Sequence, residues 1–233
     1  MISQRNSPRH ILYDSVYFDR QQQFGSKKGY KEEADQIIHG LQITEKDLVL
    51  DIGCCTGIAQ QYIKDKTGCR IVPLDFPLIG LKMFYNPIRV NADAHHLPFK
   101  DTTFDKIYTL HTIGHVYSPS YVLKEIQRVL KPMGKLGLVT PNSWYVYAMR
   151  PLNILRIIRY NPDPTRIRCY SANSLKREIE SAGFEIIDLY TYGELPNLFQ
   201  FLSPVSLSPQ GRGKGEGVRG KLRSRIFAFA VKR

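Results

Sequence analysis

Three aspartates close three short apolar runs: Asp51 in LVLDI, Asp75 after RIVPL and Asp93 after IRVNA. They stand 24 and 18 residues apart, about one strand-plus-helix unit per step. That spacing predicts neighbouring parallel strands with all three carboxylates on one rim, where open sheets of this kind bind ligands. Directly after Asp51 comes a turn, Gly53-Cys54-Cys55-Thr56-Gly57, ahead of a helix-like stretch. An acidic rim suits a ligand with ribose hydroxyls, an exocyclic amine and positive charge, and it repels a pyrophosphate. Residues 53–58 read GCCTGI, which lacks the second and third glycines of a Gly-x-Gly-x-x-Gly dinucleotide loop and the Gly-Lys-Ser/Thr ending of a P-loop. The ligand that meets these demands is a sulfonium nucleoside with an amino-acid tail, S-adenosylmethionine.

Other residues suited to chemistry are histidines. His111 and His115 follow the apolar run FDKIYTL, and either is a candidate general base, with His115 the preferred one. His95 and His96 sit beside Asp93 and read as rim residues rather than a metal pair. The four cysteines, Cys54, Cys55, Cys69 and Cys169, show no metal-ligand spacing, so no metal is expected. Adjacent Cys54 and Cys55 read as reduced thiols of a cytoplasmic protein, since a bridge between neighbours is strained.

The elements that must position these groups alternate. LVLDI, CRIVPLD, IRVNAD, FDKIYTL and KLGLVT read as strands, and FEIIDLYTY and RIFAFAVKR as two more. Between them KEEADQIIHGL, with acids in its first turn, GIAQQYIKDK, PLIGLKMF, SPSYVLKEIQRVL with Ser118 as N-cap, and SANSLKREIESAGF from Ser171 to the stop at Gly183 read as helices. This alternation predicts an α/β chain with a doubly wound, seven-stranded, mostly parallel sheet; its last strand is expected to run antiparallel. One domain over residues 1–233 is expected. It comprises an N-terminal cap segment at 1–34, a substrate lid inserted at 143–170, and a disordered Gly-rich basic loop at 206–222 centred on SPQGRGKGEGVRG. No run of about 18 apolar residues occurs, and the polar start MISQRNSPRH argues against a secretory leader.

The net charge of +12 is unevenly placed. The stretch 149–176 carries several arginines against one acid, Asp163, and the stretch 210–233 carries eight basic residues against one acid. Such a balance serves an anionic substrate, a nucleic acid, a membrane surface, or only solubility.

Four blocks in order carry a resemblance: VLDIGCCTG, PLDFP, ADAHHLPFKDTTFDKIYTLHTIGHV and VLKEIQRVLKPMGKLGLVTPN. Over about residues 35 to 190 the chain resembles the class I S-adenosylmethionine-dependent methyltransferases, and within them the type 11 group that includes quinone-biosynthesis enzymes. The resemblance implies a Rossmann-like fold, S-adenosyl-L-methionine as cofactor, and transfer of a methyl group to a small acceptor at oxygen, nitrogen or carbon. By position, it implies that Asp75 grips the ribose diol, Phe76 packs on adenine and Asp93 accepts from the adenine amine beside the Ala94 backbone. Gly53 and Gly57 let the backbone approach the methionine moiety, with Asp51, Cys54, Cys55 and Leu110 around it. Cys55 stands where the family pattern has glycine. A negative φ lets cysteine take that place, and a positive φ costs roughly 1 kcal/mol or more; binding is expected to survive. Met133 likewise replaces the glycine of a KPGG turn, away from the cofactor.

Acceptor choice in the family lies with the N-terminal segment and the insertion after the fifth strand, here Tyr13, Tyr17, Phe18 and Tyr30, then NSWYVYAMRPLNILRIIRYNPDPTRIRCY. That insertion predicts a lid over an apolar or anionic acceptor, with Arg156, Arg159 and Arg166 available for an anionic group. Rival readings are an RNA methyltransferase, disfavoured because no Asn-Pro-Pro-Tyr motif or motif cysteine before proline is present, and a binding protein without activity. Peripheral membrane contact through WYVYAMRPLNILRIIRY is a further option, and the oligomeric state stays open.

Overall fold

A computed structural model describes residues 27–76, 89–155, 163, 165–192 and 224–233. Seven strands form one sheet: β1 Leu48–Ile52, β2 Arg70–Asp75, β3 Val90–Asn91, β4 Phe104–Leu110, β5 Leu130–Pro141, β6 Phe184–Tyr192 and β7 Arg225–Lys232. Their order is β3-β2-β1-β4-β5-β7-β6. The first five pair in parallel, and β7 runs antiparallel between β5 and β6. The expected sheet, with its reversed last strand, is the one observed. The switch point lies between β1 and β4, where the chain leaves one half of the sheet for the other.

Five helices occur among the described residues: α1 Lys27–Leu41, α2 Ile58–Thr67, α3 Pro119–Val129, α4 Ser143–Ile154 and α5 Ala172–Ser181. Alternate side chains of each strand feed two cores. Leu50, Ile107, Leu136 and Ala228 join Val122, Leu123 and Ile126 of α3 and Leu175 and Ile179 of α5 on one face. Val49, Tyr108, Val139 and Phe229 join Ala34, Ile37 and Leu41 of α1 and Ile63 of α2 on the other. Burial on both faces explains why these strands read as continuous apolar runs.

Local signals set the helix ends. Pro119 opens α3, where a missing N–H is harmless. Ser118 stands at the N-cap as expected, but its hydroxyl faces Ser120 rather than the helix backbone. Ser171 and Ser174 form a reciprocal capping box on α5, and Gly183 leaves the helix with φ +87°. α1 begins at Lys27, earlier than expected, so Glu32 and Glu33 are not in its first turn. They are therefore free of a helix-dipole role, and Glu33 turns inward instead. β5 begins at Leu130 and runs through the KPMG segment, with Met133 exposed at φ +60°. β3 shrinks to two residues because only Val90 and Asn91 meet β2. The stretch PLIGLKMF, Tyr13, Tyr17, Phe18, Arg156, Arg159 and the 206–222 loop lie outside the described residues.

Candidate active site

The turn after β1 is stitched to the end of β2. The Gly53 and Cys54 N–H groups donate to the Leu74 carbonyl at 2.8 and 3.1 Å, and the Gly57 N–H donates to the Cys54 carbonyl at 2.8 Å. Gly53 and Gly57 both adopt left-handed backbone, φ +80° and +76°. A Cβ on Gly53 would run into the Thr112 side chain, so glycine brings this loop onto the end of β4.

Cys55 also lies in the left-handed region, at φ +49°. The negative φ that would make cysteine harmless here is therefore not the one adopted. The reason is a hydrogen bond: the Cys55 N–H donates to Asp75 Oδ2 at 2.7 Å, and that bond fixes the peptide in the geometry glycine normally supplies. Burial, reinforced by Asp75, pushes the Cys55 thiol up to about 12. The thiol is protonated and unreactive at neutral pH.

Asp75 accepts a second backbone N–H, from Phe76 to Oδ1 at 2.7 Å. Burial raises its pKa to about 6 against these two donors. Asp51 lies deeper. It is buried, opposite Tyr108 in the β1–β4 register, and burial lifts it to about 8, with the Tyr108 hydroxyl opposing and Asp75 adding to the rise. Asp93, two residues beyond β3, accepts from the His95 backbone at 3.0 Å and meets His95 Nδ1 at 2.7 Å. His95 Nε2 in turn accepts the Ser118 N–H at 3.2 Å, which ties this rim to the start of α3. Ala94 is buried beneath the rim, and Leu110 ends β4 beside the loop. No cluster of metal-ligating side chains occurs among the described residues.

The donor set fits S-adenosylmethionine. Each oxygen of an ionised carboxylate has two acceptor positions, and Asp75 spends one per oxygen on backbone N–H groups. Two acids with raised pKa values, beside a loop without a basic side chain, gain by meeting a cation.

A second cluster stands at the end of β4 and was not foreseen. His111 has φ +60°, and its Nε2 lies 3.0 and 3.1 Å from the two oxygens of Glu33, contributed by α1. Arg225, the first residue of β7, approaches the same Glu33 with its Nε at 2.6 Å. Burial alone would push Glu33 up, but His111 and Arg225 outweigh it and hold it below the usual carboxylate range. Burial pushes the hydroxyl of half-buried Tyr30 up, with Cys55 and Glu33 adding to the rise. Glu33 and Arg225 carried no motif in the sequence. An acid on the apolar side of an amphipathic helix was the only available signal.

His115 is placed differently. Its Nδ1 meets the Thr165 hydroxyl at 2.9 Å, and that hydroxyl donates to Asp163 Oδ1 at 2.6 Å. Burial pulls the His115 pKa down to about 4 despite Asp163 nearby. Arg166 packs beside Gly114, its Nε buried without a partner among the described residues. Farther along the same rim, a cavity of about 400 Å³ opens beyond β5 and β6, lined by Asn142, Trp144, Tyr147, Ser171 and Thr191 among others.

Comparisons agree with this geometry. A family model described as a methyltransferase domain matches residues 27–189. A sterol 24-C-methyltransferase of Eremothecium gossypii is 30% identical over 172 residues, covering 65% of this chain and 43% of that protein, so the chain spans less than half of its length. A demethylmenaquinone methyltransferase of Lactobacillus johnsonii is 27% identical over 188 residues, covering 69% of this chain and 76% of its own. Among solved structures, an S-adenosylmethionine-dependent methyltransferase from Archaeoglobus fulgidus superimposes with a TM-score of 0.69 at 18% identity, over 94% of this chain and all of that one. By its family match, sheet order, left-handed loop and acidic rim, the chain belongs to the class I S-adenosylmethionine-dependent methyltransferase family.

Proposed function

We propose that the protein transfers a methyl group from S-adenosylmethionine to a small acceptor that must lose a proton, at a hydroxyl or an acidic carbon, with His111 as the general base. The single observation that carries this reading is the Glu33–His111 pair. Glu33, ionised and buried, accepts from His111 Nε2–H and so fixes the tautomer with its lone pair on Nδ1. That Nδ1 is buried with no partner among the described residues, as a group awaiting a substrate proton requires. The left-handed backbone at residue 111 stores strain of the kind that collects at functional positions. His115, held by Thr165 and with a pKa near 4, is a poorer base at neutral pH and is assigned to orientation of the 163–168 segment.

The cofactor supplies an electrophilic methyl group. Asp75 would hold the ribose diol, Phe76, Asp93 and Ala94 would hold the adenine, and Asp51, Gly53, Cys54, Cys55, Gly57 and Leu110 would hold the methionine moiety. The acceptor proton would pass to His111 Nδ1, and Glu33 would stabilise the resulting imidazolium. Relatives named for sterols and demethylmenaquinone support an apolar acceptor.

The test uses methyl-labelled cofactor with a fractionated metabolite extract. A labelled small molecule, made about 100-fold more slowly by His111→Asn and Glu33→Gln while calorimetric cofactor affinity holds, is the expected result. Label in a nuclease-sensitive fraction would establish an RNA substrate instead. Cofactor binding with no labelled product in any fraction would leave a binding protein.

A further inference from the structure

Helix α4 buries Val146 and Met149 and turns Trp144, Tyr147, Arg150, Pro151 and Ile154 outward. These positions recur at three and four residues, so they form one face. It is the reverse of a solvated face: Trp144 is 57% exposed, Tyr147 58% and Ile154 79%, with Leu155 just beyond at 67%. α4 contains no acidic residue, and Arg150 lies within the exposed stripe. A second exposed arginine, Arg168, lies close by in the chain path: Tyr170, two residues on, bridges to Asn142 at the foot of α4. Arg168 also reaches the Tyr117 carbonyl, beside another part-exposed tyrosine ring.

We infer that this face of α4 rests on an anionic lipid surface. Three observations select that occupant. Tryptophan and tyrosine with an apolar body and a polar tip favour the headgroup boundary. Arginines in and beside the stripe, on a chain with net charge +12, complement anionic headgroups. No helix among the described residues is long and apolar enough to cross a membrane, so the contact lies in the surface plane. α4 starts directly after β5, at the rim that carries the candidate site, so docking would turn that rim toward the lipid. The inference concerns binding alone and stands whether or not His111 is the base.

Trp144 is the chain's single tryptophan, which makes the face self-reporting. The 233-residue chain is mixed with phosphatidylcholine vesicles, with and without phosphatidylglycerol, and followed by flotation and by intrinsic fluorescence. Flotation with the anionic vesicles only, with a blue shift and loss of acrylamide quenching of Trp144, is expected. The triple variant Trp144→Ser, Tyr147→Ser, Ile154→Ser should float about tenfold less or worse, while calorimetry shows its cofactor affinity unchanged. Three results overturn the inference: no flotation, flotation with Trp144 still open to quencher, or a vesicle-free protein whose doubled mass is abolished by the triple variant. The second would assign lipid binding to other basic segments, and the third would make the face an interface between two copies.

Discussion

Cys55 is the residue at which sequence pattern and geometry pull apart. A side chain there sits at φ +49° and is held by Asp75, a strain of about 1 kcal/mol for an unbranched residue. A β-branched side chain tolerates that region less well. Cys55→Val should therefore lower stability by more than about 1 kcal/mol and weaken cofactor binding, whereas Cys55→Gly should keep both, as read by urea unfolding and calorimetry. Equal behaviour of the two variants would remove the account. Asp51 gives a pH test. Its folded pKa of about 8 lies above the ordinary value of 3.8, so between these the folded chain keeps a proton that the unfolded chain has released. Stability must then fall as pH rises through that window, by roughly 1 kcal/mol per pH unit at most. Asp51→Asn should flatten the decline between pH 5 and 8, and parallel wild-type and variant curves would count against the assignment. A bound cation favours the ionised forms of Asp51 and Asp75, so cofactor affinity should rise from pH 5 to 8 with protons released, measurable by calorimetry in buffers of different ionisation enthalpy.

Helix α1 is the element that completes the second half of the site. It presses on β7 where Gly40 meets the Phe229 ring, a place with no room for a Cβ. That close approach carries Glu33, about two turns earlier, to His111 of the β4 loop and Arg225 of β7. Removing the acid leaves an arginine and a histidine facing each other without their shared anion. Glu33→Ala should cost about 3 kcal/mol by urea unfolding, with Arg225→Ala costing less because that side chain is part-exposed. The sign with pH follows from the lowered Glu33 pKa: its contribution is present above the ordinary carboxylate value and fades as pH falls through the folded one. A Glu33→Ala protein as stable as wild type at pH 7 would mean the pair contributes nothing.

At the scale of the molecule, the last strand does two jobs. β7 lies between β5 and β6, so it is interior to the sheet, and five consecutive residues, Ile226 to Ala230, are buried. The same strand starts with Arg225 at the candidate site. Phe229→Ala should cost about 3–5 kcal/mol, since its ring fills the space under α1 and joins the core with Ile37 and Leu41. A loss below about 1 kcal/mol would show that α1 collapses into the gap, and the Glu33–His111 geometry would move with it. Molecular charge acts on a different quantity, the association rate and partner sign, and leaves the fold alone.

Strand and helix alternation and the three acids at strand ends were legible because each follows from short-range pattern: apolar runs of strand length, caps, and one unit's spacing; the direction of the final strand is set by no such local pattern. The acidic rim inherits that legibility, since Asp51, the glycine loop, Asp75 and Asp93 are each fixed by the end of one strand. Hidden in the chain were Glu33 and Arg225 as neighbours of His111. Those groups come from positions 33, 111 and 225, and nothing within any one segment encodes their meeting. Only packing decides it, because a buried carboxylate must find its counter-charges wherever the closed sheet brings them. The left-handed Cys55 likewise depended on a hydrogen bond to a neighbouring strand, a contact that exists only after β1 and β2 have paired.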